Sequence, residues 1–217
     1  MKAARLVMMF AMIAAMPAVN ALAEASNPDI LTRMQTFVPQ RTEDWDAGSG
    51  VELQARFWSS KSFGTALSLG FDSWAAKSEF SDTSDAQGTM TTSIYGNMTV
   101  IPVGVSALYR NNVSEKVALV FEAGVRYLFL KSNINADVVT DDASGTSHFK
   151  DKITTDNVFA AVFGVSVESA ITDTMSFHLG VGYQLDLTEP RETFSGEDMG
   201  TTSFNSPIVD VGVTWAF

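Results

Sequence analysis

The chain has no cysteine, so no disulfide holds it together and no lipid can be attached through an N-terminal cysteine. It has only two histidines, and none of its acidic runs has the spacing of a calcium loop or a zinc site. Beyond the first 23 residues no apolar run approaches the roughly eighteen residues of a spanning helix, which argues against helical insertion into an inner membrane. Positive charge is scarce: 14 Lys+Arg against 25 Asp+Glu leave a net charge of −11, a poor match to a nucleic acid backbone. Charged residues make up 18% of the chain and hydrophobic ones 46%, so the ordering of the apolar residues decides the class.

Lys2 and Arg5 precede an apolar run over residues 6–16, and Ala21-Leu22-Ala23 supplies the small residues that a signal peptidase requires. Residues 1–23 therefore read as a secretory signal peptide. Cleavage after Ala23 leaves 217 − 23 = 194 residues and, with Lys2 and Arg5 lost, a net charge of −13. A chain of that length is one domain, over residues 24–217.

Within it, apolar residues recur at alternate positions, the period of a strand with two different faces. Val51, Leu53, Ala55 and Phe57 alternate with Glu52, Gln54 and Arg56. Phe63, Thr65, Leu67, Leu69 and Phe71 alternate with Gly64, Ala66, Ser68, Gly70 and Asp72. The same pattern covers residues 101–109, 117–130, 159–168 and 175–187. In the last of these segments the small or polar face carries Ser176, His178, Gln184 and Asp186. The final segment sets Val209, Val211, Val213, Trp215 and Phe217 against Ile208, Asp210, Gly212 and Thr214.

The connections alternate short and long. Residues 59–62, 111–115 and 171–173 are tight turns, whereas 76–92, 131–156 and 188–203 are long and polar. That asymmetry belongs to an outer-membrane barrel, with periplasmic turns and external loops. Seven strands are clear, and an even count requires one more before Val51; residues 30–38 are the best candidate despite poor alternation. The predicted fold is all-β: a closed antiparallel up-and-down transmembrane β-barrel of eight strands. Aromatic residues fall at strand ends in two girdles, with Trp74, Tyr127, Phe129, Phe159, Tyr183 and Phe204 on the loop side. Phe57, Phe63, Tyr109, Phe177, Trp215 and Phe217 mark the turn side. Pro102 counts mildly against a closed barrel, which has no edge to tolerate a residue without an N–H, and a bulge there would reconcile it.

With these features in place, the chain resembles the small outer-membrane β-barrel superfamily, which includes the membrane domain of outer-membrane protein A, outer-membrane protein W and the opacity-type proteins. Residues 101–109 and 121–127 (Phe121-Glu122-Ala123-Gly124-Val125-Arg126-Tyr127) look like central strands of these proteins. The resemblance implies that Val213, Trp215 and the terminal Phe217 form the signal read by the barrel-assembly machinery. It also implies both termini in the periplasm. No peptidoglycan-binding domain follows Phe217, which departs from outer-membrane protein A and removes a tethering role.

An eight-stranded barrel is just wide enough to be filled by side chains. Its inward set includes Glu52, Arg56, Asp72, Glu122, Arg126, Glu168, Asp186 and Asp210, and the expectation is an ion-paired structural plug. His178 shares a face with Ser176, and the adjacent strand brings Ser166 and Glu168 alongside. The residue types suit a serine hydrolase; a position inside the wall near a periplasmic turn does not, and a hydrogen-bonded lumen network is the simpler expectation. No cofactor or metal is expected.

The functional expectation is a non-enzymatic outer-membrane barrel with a structural or surface-interaction role. A narrow port for small apolar compounds is the alternative implied by the resemblance to outer-membrane protein W, and a lipid hydrolase is the third reading. Expected partners are outer-membrane lipids, lipopolysaccharide and the barrel-assembly machinery, the protein itself being a monomer.

Overall fold

The computed structural model describes residues 28–40, 45–76, 79–85, 88–142 and 145–217. The expected signal peptide lies outside these residues. Fourteen strands follow in order: β1 (Asp29–Phe37), β2 (Gly48–Trp58), β3 (Phe63–Ala75), β4 (Glu79–Asp85), β5 (Gly88–Tyr95), β6 (Asn97–Asn112), β7 (Val117–Ser132), β8 (Ile134–Asp142), β9 (Gly145–Thr155), β10 (Val158–Ala170), β11 (Met175–Asp186), β12 (Arg191–Phe194), β13 (Glu197–Thr201) and β14 (Ser206–Ala216). Among the described residues there is no helix.

Eight of the strands close into an antiparallel barrel in the order β1-β14-β11-β10-β7-β6-β3-β2. β1 completes the cylinder by pairing with both β2 and β14, with Asp29 opposite Arg56 on one side and Ala216 on the other. The weak alternation of β1 has a physical cause. Leu31, Arg33, Gln35 and Phe37 are buried in the lumen, while Met34 stands 66% exposed outside between Thr32 and Thr36, so both faces mix polar with apolar. Elsewhere the middle of the outward face is apolar: Val51, Leu53, Leu67, Leu69, Phe163, Val165, Leu179, Val181, Val209 and Val211 are all exposed.

Three connections at one end share a device. In each, the second of four turn residues is Ser60, Ser114 or Thr172, and its hydroxyl accepts from backbone N–H groups two or three positions on. The turn closes with two N–H groups donating to the first carbonyl of the next strand, as from Ser59 and Ser60 to Phe63. A short hydroxyl side chain competes well for such N–H groups and sets the turn locally.

The closed barrel accommodates Pro102 without a bulge. The β3–β6 register is the same on both sides of it, Leu69 opposite Val103 and Asp72 opposite Val100, and only the two pairs between them are missing. The proline ring points inward across Gly70, where a Cβ would come within 2.8 Å of it. The bare glycine takes the place of a backbone rearrangement.

The three long polar segments expected as loops are largely strand. They extend the barrel wall as hairpins that join into a six-stranded sheet, β13-β12-β9-β8-β5-β4, left open between β4 and β13. The β12–β13 hairpin turns through Ser195 (φ 53°) and Gly196 (φ 84°), the positive φ pair of a two-residue turn that matches strand twist. Thr and Ser on both faces conceal the strand period in sequence. Backbone pairing and β-branched residues such as Val138, Val139, Ile153 and Thr154 form the ladder all the same.

Candidate functional site: the lumen

The inward faces of the eight strands divide the lumen into two layers. The layer nearer the short turns is polar. Arg33 Nε and Nη2 donate to Glu52 Oε1 (3.0 and 2.5 Å), and Arg126 Nη2 lies 2.8 Å from Glu52 Oε2. Arg33 Nη1 reaches across to Glu122 Oε2 (3.2 Å), whose other oxygen accepts from Ser106 Oγ and Gln54 Nε2. Arg56 donates to Gln54, to Glu168 Oε1 (2.5 Å) and to Thr214. Nearest the turns, Arg110 Nη2 donates to Glu168 Oε2 (3.1 Å) and Asp29 Oδ2 (3.2 Å) while its guanidinium lies 3.9 Å above the Trp58 ring. Charges at this depth require such partners, because leaving one unpaired costs several kcal/mol, of the order of 3–5.

Of the residues expected in the network, Glu52, Arg56, Glu122, Arg126, Glu168 and Asp210 are brought together. Asp186 is not. It sits at the loop end of β11, where Oδ2 accepts from Phe204 N (2.6 Å) and Ser203 Oγ (3.1 Å), so it anchors the approach to β14. Arg33, Arg110 and Asp29 also belong to the network and were missed in the sequence. Alternation would have given Arg110, which shares parity with Ser106 and Leu108; Arg33 was hidden by the mixed faces of β1. Asp72 Oδ1, Ser68 Oγ, both polar atoms of the Gln35 amide and Arg126 Nε and Nη1 are buried with no protein hydrogen-bond partner among the described residues. Groups of this kind are commonly satisfied by internal water.

His178 is held between two acids, Nε2 being 2.6 Å from Asp210 Oδ1 and Nδ1 3.5 Å from Glu168 Oε1. Among the described residues no serine hydroxyl hydrogen-bonds to it. Ser166 Oγ instead donates to the Val120 carbonyl at 3.5 Å, and Ser176 lines the vestibule at the turn end. The serine, histidine and carboxylate that strand adjacency brought into view therefore do not assemble as a nucleophilic set.

The second layer, toward the loop end, is apolar. Phe37, Trp45, Trp74, Met98, Val100, Leu128, Ile134, Val158, Phe204 and Ile208 form one buried cluster. Trp74 touches Phe37, Trp45 and Phe204, with ring centroids 5.2, 6.4 and 5.5 Å away. This corrects the assignment of Trp74 and Phe204 to the outer girdle, since they are 1% and 0% exposed. Parity carried the signal: Trp74 lies two residues after Asp72 and so faces the lumen. Trp45, from the β1–β2 connection, is fixed by its Nε1 donating to Thr202 Oγ1 (3.1 Å).

The remaining girdle residues face outward. At the turn end Tyr109 packs against Phe63 (5.1 Å), and Phe177, Trp215 and Phe217 are exposed, with Val213 half-buried on the same strand as Trp215. At the loop end Tyr127 meets Phe129 and Phe159 edge to face, both centroids 4.7 Å away, and Tyr183 is half-buried.

Between the layers a cavity of about 20 Å³ is lined by Arg33, Gln54, Arg56, Glu122, Arg126 and His178, room for about one water. At the turn end a wider vestibule of about 220 Å³ opens over Asp29, Arg110, Glu168 and Thr214. No group of three or more metal-ligating side chains occurs among the described residues.

No model of a known protein family matches the sequence, and no curated protein is detectably similar to it. Solved structures are similar in shape. A major outer membrane protein from Thermus thermophilus is 13% identical, with 88% of this chain and 99% of that one covered at a TM-score of 0.51. The neisserial surface protein A is 11% identical over 88% and 96% of the two chains (TM-score 0.49), and Ail, the attachment invasion locus protein of Yersinia pestis, 10% over 88% and 97% (TM-score 0.42). At such identities the likeness is one of fold. The fold is that of a small eight-stranded transmembrane β-barrel.

Proposed function

We propose that the protein is a non-enzymatic, integral β-barrel of the bacterial outer membrane, with a structural or surface-interaction role and both termini in the periplasm. The observation that carries this reading is the combination of an apolar exterior with a lumen filled from both ends, by ion pairs below and by the Trp45–Trp74–Phe204 cluster above. Among the described residues such packing closes the middle of the lumen, and the protein acts through its outer surface, its lipid contacts and the sheet that stands beyond the barrel. Val213, Trp215 and Phe217 serve as its assembly signal, and lipids and lipopolysaccharide surround it.

Two measurements test this. Folded protein in detergent should migrate differently on a gel before and after boiling, and its insertion into planar bilayers should leave the current silent. Steady unitary conductance would replace the closed-barrel reading with the port for small compounds. Full solubility and monodispersity without any amphiphile would overturn the membrane reading altogether.

A further inference from the structure

The basic residues are sorted by place. Among the described residues Arg33, Arg56, Arg110 and Arg126 point into the lumen, and Lys61 and Lys116 sit in the short turns. The other four, Lys131, Lys150, Lys152 and Arg191, are all exposed, and all lie on one contiguous arc of wall running from β7 through β8 and β9 to β12. In a chain of net charge −11 this gathering demands a reason.

Their faces follow from neighbours that point inward. Ile153 and Phe194 pack on the apolar lumen cluster, so Lys150 and Lys152 on β9 and Arg191 on β12 stand on the outer side, as Lys131 does beside inward Leu130. The height is set independently by the edge-to-face rings of Tyr127, Phe129 and Phe159, which are outward and at the loop end. Lys131 follows Phe129 by two residues on the same face, about 7 Å along the strand. The Lys152 ammonium donates to Asn133, two residues beyond Lys131 (3.3 Å), and the Arg191 carbonyl accepts from Asp156 N, three residues before Phe159.

Among the described residues none of Lys131, Lys152 and Arg191 has a carboxylate within ion-pairing distance. Lys150, farther out, is engaged by the Tyr95 hydroxyl, which with the Asp137 charge holds its ammonium above the ordinary lysine pKa. Asp137 also lies 3.7 Å from His148. The three cations nearest the rings are thus the ones left to an external anion.

We infer that this arc is a binding site for the phosphate groups of a phosphorylated glycolipid of the surrounding leaflet, with Lys131, Lys152 and Arg191 at the phosphates and Tyr127, Phe129 and Phe159 along the acyl chains. The inference rests on the membrane reading above. Aromatic rings sit at headgroup level, and cations just beyond them meet the anionic part of the lipid. Arg191 supplies a planar fork for two phosphate oxygens, and the lysines act as point charges that adapt to either phosphate.

Native mass spectrometry of the folded protein in non-ionic micelles, titrated with diphosphorylated lipid A, tests the site. Wild type should retain the lipid, and the K131A/K152A/R191A variant should bind it about 100-fold more weakly, about five-fold for each cation. The control K61A/K116A should bind like wild type. Equal retention by wild type and the triple variant overturns the site. Two arms need no variant: enzymatically dephosphorylated lipid A should fail to bind wild type, and binding should weaken as salt is raised. Wild-type binding that ignores the phosphates overturns the inference, and phosphatidylglycerol bound as tightly as lipid A overturns the glycolipid assignment. A protein that requires micelles yet shows no phosphate preference leaves the membrane reading standing; one that needs no amphiphile removes both.

Discussion

The two layers of the lumen are built by the same wall and obey different rules. In the polar layer the charges answer to particular partners: Glu52 serves two guanidiniums, those of Arg33 and Arg126, and Glu168 serves those of Arg56 and Arg110. In the apolar layer the rings of Phe37, Trp45, Trp74 and Phe204 have only to fill space together. A polar interior in a narrow cylinder is therefore specific and brittle, and an apolar one is tolerant of substitution so long as its volume is kept.

The sharpest way to break this contrast is Glu52→Gln. The amide keeps the shape but takes from buried Arg126 its one ion-pair partner among the described residues and leaves Arg33 only Glu122 and Asp210, and stability should fall by about 3–5 kcal/mol in denaturant unfolding from micelles. A loss below about 1 kcal/mol would mean that the polar layer is not ion-pair dependent. In the apolar layer Met98→Ala should cost about 2–5 kcal/mol, whereas Met98→Leu should cost less than about 1.5. If Leu were as damaging as Ala, the apolar layer would share the specificity of the polar one. Trp45→Phe keeps the ring but removes the hydrogen bond to Thr202, and about 0.5–1.5 kcal/mol should be lost, read as a lower unfolding midpoint. At the small end, Asp137→Asn on the outer face of β8 removes only solvated charge contacts, to His148 and to Lys150 on the neighbouring strand, and the midpoint should shift by less than about 0.5 kcal/mol. A larger shift there would show that the protruding sheet is coupled to the barrel.

Much of the barrel was legible because its two solvents differ so strongly. Val51, Leu53 and Leu69 face one and Glu52, Gln54 and Asp72 the other, so a period of two survives in the sequence. Where polar residues are scattered without regard to face the pattern fails: the hairpins β4–β5, β8–β9 and β12–β13 read as loops because Thr, Ser and Asp recur along them at both odd and even positions. Trp74 and Phe204 were misplaced for another reason. An aromatic at a strand end fits a girdle by position alone, and only the parity shared with Asp72 shows that Trp74 turns inward. Asp186 had the correct parity but lies beyond the polar layer, at a height that alternation does not report.

What the sequence determined by itself is the side of the wall on which the residues of β2, β3, β6, β7, β10, β11 and β14 stand, because successive side chains of a strand must point to opposite faces and there the two faces differ in polarity. Who meets whom inside was decided only by the closed tertiary structure. Arg33 and Glu122 are 89 positions apart and Arg56 and Glu168 112 apart, yet each pair spans the lumen within hydrogen-bond reach. Their meeting depends on the shear with which eight strands close, and that is a property of the whole cylinder and not of any single strand.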